Sequence, residues 1–162
     1  MKKKLLFVAL VALFGSQALL AAPRAIGGRL GWGAEFSYQH GLNSGNMLSV
    51  DAGLAGFDGI EAAITHDWIF NISAWDKQGS WNWYLGVGAG GGFANLLNNN
   101  PNTGFIGVAG RVGAEYNFWF PLQLSLDWRP IIGPGFNSNG THFYTYGLYN
   151  GGLCLGVRYL FH

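Results

Sequence analysis

The sequence predicts an all-β fold: an eight-stranded antiparallel transmembrane β-barrel of meander topology, preceded by a cleaved signal peptide. Three observations predict it. Beyond residue 22, apolar and polar residues alternate with period two over most of the chain. Charged residues are only 10% of the 162, whereas aromatics are 16% and glycines number 27, far above the usual ~7% for glycine. Past residue 22 no run approaches the ~18 apolar residues that a membrane-crossing helix needs. A chain so poor in charge and so rich in aromatics is hard to keep in water, and without a helical span the remaining way to cross a bilayer is a closed barrel.

The N-terminal stretch reads as a targeting segment. Lys2, Lys3 and Lys4 form a positive region, Leu5 to Phe14 an apolar run, and Ala18, Ala21 and Ala22 the small residues of a cleavage site. The apolar run is too short to span as a helix, which disfavours an uncleaved anchor. Cleavage after Ala21 is expected, since Pro23 disfavours the site after Ala22. The division is therefore 1–21 signal peptide and 22–162 barrel. Loss of the three lysines lowers Lys plus Arg from 9 to 6 against 8 acids. The exported chain then carries about −2, which argues against a basic nucleic-acid surface. Cys154 is the only cysteine, so no intrachain disulfide can form.

The strands follow in order. Arg24 to Gly31 sets Ile26 and Leu30 opposite Arg29; Ala34 to His40 sets Phe36 and Tyr38 opposite Glu35, Ser37 and Gln39. Leu48, Val50, Ala52 and Leu54 oppose Ser49, Asp51, Gly53 and Ala55. Ile60, Ala62, Ile64, Trp68, Phe70 and Ile72 oppose Glu61, Ala63, Thr65, Asp67, Asn71 and Ser73. Trp81, Trp83, Leu85, Val87 and Ala89 oppose Asn82, Tyr84, Gly86, Gly88 and Gly90. Ile106, Val108, Val112, Ala114, Tyr116 and Phe118 oppose Gly107, Ala109, Arg111, Gly113, Glu115 and Asn117. Leu122, Leu124, Leu126 and Trp128 oppose Gln123, Ser125, Asp127 and Arg129. Leu153, Leu155, Val157, Tyr159 and Phe161 oppose Cys154, Gly156, Arg158 and Leu160.

Strand number follows from closure. Reading 24–40 as one strand gives seven; splitting it near Trp32-Gly33 gives eight. Bacterial barrels of one chain have an even number, so eight is expected. Turns at 43–46, 74–80 and 117–121 then fall at one end. The longer segments 94–102 and 132–146 fall at the other, as loops facing outward.

The two faces differ in chemistry. One holds Arg29, Glu35, Asp51, Glu61, Asp67, Arg111, Glu115, Asp127, Arg129 and Arg158; at the positions assigned above, the other holds no Asp, Glu, Lys or Arg. An Arg or Lys facing lipid at mid-depth costs about 2–4 kcal/mol, so the charged face is expected inside. Eight strands enclose a lumen that side chains can fill. Four arginines and six carboxylates there are expected to pair, because a buried charge without a partner is costly. Glycines 86, 88, 90, 107 and 113 are expected to make room for the arginines. Trp32, Tyr38, Trp68, Phe70, Trp81, Trp83, Tyr116, Phe118, Trp119, Trp128, Tyr159 and Phe161 cluster near strand ends, as interfacial girdles do.

With these faces assigned, the chain resembles the small eight-stranded outer-membrane barrels of the OmpA/OmpX type and porin-like barrels of similar size. The segments carrying the resemblance are GAEYNFWFPLQLSLDWRP (113–130) and the closing LCLGVRYLF (153–161). The resemblance implies an outer-membrane location reached through the inner membrane. It also implies recognition by the barrel-assembly machinery through an aromatic near the C-terminus. Phe161, with Tyr159 before it, matches that signal, although the chain ends in His162. The family includes anchors, adhesion proteins, narrow pores and a few lipid-modifying enzymes, and its fold does not choose among them.

Candidate chemistry is sparse. His66 and Asp67 are adjacent, so alternation sends them to opposite faces, and His66 falls among the outward apolar residues. Ser138 and His142 share a predicted loop and invite comparison with outer-membrane deacylases, but no motif surrounds them. Gly86 to Gly92 lacks the Lys-Ser/Thr of a phosphate loop. No spacing of Cys or His suggests a metal. The expected protein is therefore a non-enzymatic barrel without cofactor or metal, with a structural or surface-interaction role. The alternatives are a narrow pore or carrier, a lipid-modifying enzyme, or a soluble secreted β-domain. Expected partners are outer-membrane lipids, the assembly machinery and an extracellular protein met through the loops. No nucleic-acid partner is expected, and the barrel should be a monomer.

Overall fold

The structure, a computed structural model, describes residues 22–97, 102–149 and 152–161. The signal-peptide reading of 1–21 lies outside them. Ten strands are present: β1 (Ala22–Leu30), β2 (Ala34–Asn43), β3 (Asn46–Ala55), β4 (Gly59–Asn71), β5 (Ser80–Ala94), β6 (Thr103–Asn117), β7 (Gln123–Trp128), β8 (Ile131–Asn137), β9 (Gly140–Tyr146) and β10 (Leu153–Leu160). Each of β1 to β6 pairs antiparallel with the next; β7 pairs with β10, and β10 closes the ring on β1. The result is a closed eight-stranded barrel.

Two walls are interrupted, which explains ten strands in an eight-stranded barrel. β7 and β8 run along β6 in one continuous register, from Asn117 opposite Gln123 to Gly104 opposite Phe136. The break at Arg129-Pro130 is bridged by Gly110 N–H donating to the Pro130 carbonyl at 3.0 Å. β9 and β10 are likewise two pieces of the eighth wall, the first ending at Tyr146 and the second beginning at Leu153. Trp128 Nε1 donates to the Gly147 carbonyl at 2.8 Å and Arg129 N–H to the Gly152 carbonyl at 2.9 Å, tying Gly147 and Gly152 to the seventh wall.

The segment 132–146, expected as a loop, is instead a hairpin of β8 and β9. Asn137 and Gly140 close it, with the Asn137 side-chain oxygen accepting from Asn139 N–H at 2.9 Å and Gly140 at a φ of +118°. Gly133, Pro134 and Gly135 hid this strand, because proline inside a run argues against one. Pro134 is tolerated where β6–β8 pairing lapses, between the Phe105–Gly135 and Val108–Ile132 pairs. No ladder hydrogen bond is forfeited there.

The ends of the barrel differ. The turns after β2, β5's preceding strand and β6 lie with residues 22 and 160 at one end; the hairpin tips 31–33, 56–58 and 138–139 lie at the other. Strands β1 to β3 have 9, 10 and 10 residues, whereas β4 to β6 have 13, 15 and 15. The tall side therefore rises above the short side, and β8–β9 extends it further.

Register carries alternation around the ring. The β3–β4, β4–β5 and β5–β6 pairings have no shift, so residues opposite one another share a face. Two shifts break the rule, one between Gly41 and Asn43 where β2 meets β3, the other where β1 meets β2. Pro23 pairs with His40 and Ala25 with Gln39, leaving Arg24 as an extra residue. The bulge turns Arg24 into the lumen, although its parity with Ile26 assigns it outward.

The glycines expected to accommodate arginines serve other groups. A Cβ at Gly86 would strike the Asp67 carboxylate, and one at Gly113 would come within 2.7 Å of the Tyr84 ring. At Gly90 it would meet Ile131 at 2.6 Å; at Gly88 and Gly107 it would meet neighbouring backbone. The glycine that gives way to an arginine is Gly156, under Arg158 at 2.6 Å. Replacement of Gly113 by Val should therefore displace Tyr84 and destabilise the barrel by about 1–3 kcal/mol, the usual cost of overpacking. Urea unfolding of the barrel in lipid vesicles measures the change.

Candidate functional site: a charge-filled lumen

Seven strands aim charged side chains at the barrel axis, and alternation on each one supplies the aim. Arg29, Asp51, Asp67, Arg111, Glu115, Asp127 and Arg158 are each at most 2% exposed; Glu35, Glu61 and Arg129 are at most 8% exposed. The outward positions of the same strands are apolar and exposed: Val50, Ile60, Ile64, Leu85, Val87, Ile106, Val108, Leu126, Leu155 and Val157 among them.

The charges are stacked in layers along the axis. In the central layer Asp127 accepts from Arg29, from Arg111 Nη2 at 3.1 Å and from Tyr84 Oη at 3.0 Å. Arg111 also lies 3.4 Å from Asp51 and 3.3 Å from Asp67, with its guanidinium 5.2 Å from the Tyr84 ring centre. Ser37 Oγ donates to Asp51 and Ser49 Oγ to Asp67 at 2.6 Å. Ser37 fills the Asp51 oxygen that the guanidiniums leave open, whereas Ser49 shares Asp67 Oδ2 with Arg111 and Asp67 Oδ1 has no partner among the described residues.

Above this layer, toward the hairpin tips, Arg29 donates to Glu35, and Arg129 Nη2 donates to both Glu35 and Glu61, the latter at 2.7 Å. A hollow of about 10 Å³, bounded by Glu35, Glu61, Arg129, Tyr146 and Cys154, adjoins this group. That volume is close to the minimum a single water needs. Glu61 Oε2 and Arg129 Nη1 have no protein partner there. Further up, Ala63, Phe105, Ala109 and Ile131 form an apolar cluster with Tyr144, whose ring stacks on Phe105 at 4.3 Å. The β8–β9 hairpin thus lays an apolar cap over the charged lumen.

Below the central layer the arrangement changes. Among the described residues Arg158 has no carboxylate within ion-pair distance. Its Nε donates to Ser37 Oγ at 2.9 Å, and its Nη1 donates to Gln123 Oε1 at 3.1 Å and Ser125 Oγ at 2.7 Å. The expectation that all four arginines pair with carboxylates therefore fails for Arg158. Neutral amide and hydroxyl oxygens solvate it instead. Lowest of all, Glu115 accepts from Arg24, Asn82, Gln123 and Asn117. Arg24 also donates to Gln39 at 2.6 Å. Arg24 is the lumen residue that alternation misses; only the bulge, which Pro23 hints at, reveals it.

The remaining candidates separate. Ser138 sits in the hairpin turn and His142 on β9, paired across to Gly135; no hydrogen bond joins the two among the described residues. His66 keeps regular alternation on β4, between Leu48 and Val87, and packs edge-on against Trp68 at 4.8 Å. Tyr159 and Phe161 are outward-facing and in contact at 5.3 Å. Among the described residues no group of three or more His, Cys, Asp or Glu is disposed to hold a metal.

The arrangement can hold the walls together and obstruct the axis. Its centre is Asp127, so Asp127→Ala leaves Arg29 and Arg111 under-compensated and should cost about 3–5 kcal/mol. Lys77→Ala, in an exposed turn, should stay within about 0.5 kcal/mol. Urea titrations of the two variants side by side give the comparison. A comparison of the chain with known protein families, curated proteins and solved structures finds no match.

Proposed function

We propose that the protein is an integral outer-membrane barrel without enzymatic activity, with a filled lumen and a structural or surface-interaction role. The observation that carries this reading is the inverted distribution of charge. Arginines and carboxylates fill the axis, while the outward positions of the ring strands carry no Asp, Glu, Lys or Arg and are mostly apolar. Soluble monomers rarely expose apolar patches beyond a few hundred Å², and here the belt runs around the whole ring.

Further features support the same reading. The lengths of β1 to β3 match the ~9–11 residues of a tilted transmembrane strand. Aromatic rings collect at the end that carries residues 22 and 160: Trp75, Trp81, Tyr116, Phe118, Trp119 and Phe120 touch in series at 4.6 to 5.9 Å. Trp75 and Phe120 extend the girdle anticipated from sequence. On the outer face, Ala62, Ala89 and Gly91 leave a groove of about 410 Å³ walled by Val50, Ile64 and Ile106, with room for an acyl chain. Tyr159 and Phe161 are accessible for the barrel-assembly machinery to read. The export signal, a monomeric state and interaction through the tips of the barrel belong to this proposal.

A pore would need a water path beside Arg111, Arg129 and Arg158, and these guanidiniums are packed among their partners. Two measurements test the reading. Val87→Arg should cost about 2–4 kcal/mol if Val87 faces lipid; in a soluble domain the same exposed change would be nearly neutral. Cell fractionation should find the protein in the outer membrane, released only by detergent. Recovery in the soluble fraction overturns the location, and steady channels in planar bilayers overturn the filled lumen.

A further inference from the structure

β9 has one partner. Among the described residues it pairs with β8 and with nothing on its other side, because the ring closes lower down through β10. In an antiparallel pair every second residue turns its N–H and C=O away from the partner, so β9 presents a row of such groups on an open edge. Open edges are templates for a further strand, and proteins commonly guard them with lysine, proline or a bulge. The sequence of β9, Gly-Thr-His-Phe-Tyr-Thr-Tyr, contains neither residue, and its register with β8 is unbroken.

A recess accompanies the edge. Trp32, Tyr149 and the run Phe143 to Gly147 bound a hollow of about 380 Å³. Trp32, Phe143 and Tyr149 are 63%, 74% and 86% exposed. Strand addition uses two components: backbone hydrogen bonds for affinity, and a pocket that takes alternate side chains for specificity. Both lie side by side here, on the raised wall at the end opposite residues 22 and 160.

We propose that the free edge of β9 receives an extended peptide segment of another protein, which adds as a strand and seats an apolar or aromatic side chain between Trp32 and Tyr149. The hydrogen-bonding row selects the occupant, since only an extended backbone satisfies alternating N–H and C=O groups along seven residues. A second copy fits less well. Copies in one membrane are related by rotation about its normal, which keeps both β9 strands in the same direction and denies them the antiparallel pairing that a twofold across the edge would give. The proposal specifies the surface interaction proposed above and rests on that reading only for which end faces outward. Binding to the purified barrel tests the edge by itself.

The probe is a set of fluorescent nine-residue peptides alternating Thr and Val, with Phe, Tyr or Leu at the centre. They are titrated by anisotropy against the purified barrel in detergent micelles. Saturable binding is expected, at least tenfold weaker for Phe143→Lys and for Trp32→Ala. N-methylation of alternate peptide amides is expected to abolish binding in one phase and spare it in the other; this readout needs no protein variant. Equal tolerance of both phases, unchanged affinity in Phe143→Lys, or no binding by any peptide overturns the proposal. Dimers that dissociate in Phe143→Lys overturn it in favour of a second copy. Peptide binding by a chain that fractionates outside the outer membrane sustains the edge and removes only its location.

Discussion

Mutual neutralisation of the lumen charges is the constraint on which the rest of the barrel depends. Asp127 is its centre, held by two guanidiniums and a phenol from three other strands. An isolated buried charge costs several kcal/mol even after relaxation, and attraction offsets this only when geometry is good and the remaining lone pairs are occupied. The lumen meets that condition unevenly. Asp127 and Asp51 are held through both oxygens by Arg29, Arg111 and Ser37, Asp67 is held through Oδ2 alone, and Arg158 relies on neutral dipoles. Such a network adds little net stability over an apolar filling. Its effect is on specificity: each charge has partners on particular strands, so a wall shifted by one residue would carry arginines outward and strand their carboxylates.

Alternation made much of this legible. A strand has a side-chain period of two, so one residue of known facing fixes its neighbours. Asp51, Asp67, Arg111 and Glu115 lie on strands paired without shifts, and their facing can be read from sequence. Arg24 could not be so read, because a bulge reverses parity in a way that depends on the partner strand. The β8–β9 hairpin was obscured by Pro134, whose cost vanishes only because pairing lapses at that point. The glycines were assigned to the lumen but not to their neighbours. Which group fills the space above Gly86 or Gly113 depends on register across strands, and no single strand records it. The partners of Arg158 depend on the same cross-strand geometry.

The two interruptions have one physical origin. A closed ring of eight strands leaves a narrow interior, and the tall side of the barrel continues past the height at which the ring can close on β1. Strand β1 ends at Leu30, and Gly31 packs so closely on Leu153 and Cys154 that a side chain there would collide with them. The ladder of the eighth wall on β1 stops at Leu30–Leu155, and above that level β9, among the described residues, pairs with β8 alone. Phe105, Tyr144 and Tyr146 then fold their rings over the lumen mouth, covering with apolar surface what closure no longer protects.

The same geometry separates the two parts of the molecule by what they can exchange. In the closed ring the lumen charges are held by partners on other strands, which favours a rigid, obstructed body. On the raised wall the backbone of β9 is left open and its flanking rings are exposed, so this is where another chain can be accommodated without breaking an existing ladder. A barrel built this way does not need its axis in order to communicate with its surroundings. The filled lumen and the open edge are consequences of one mismatch in wall height: the short side fixes how far the ring can close, and the tall side carries the unpaired strand above it.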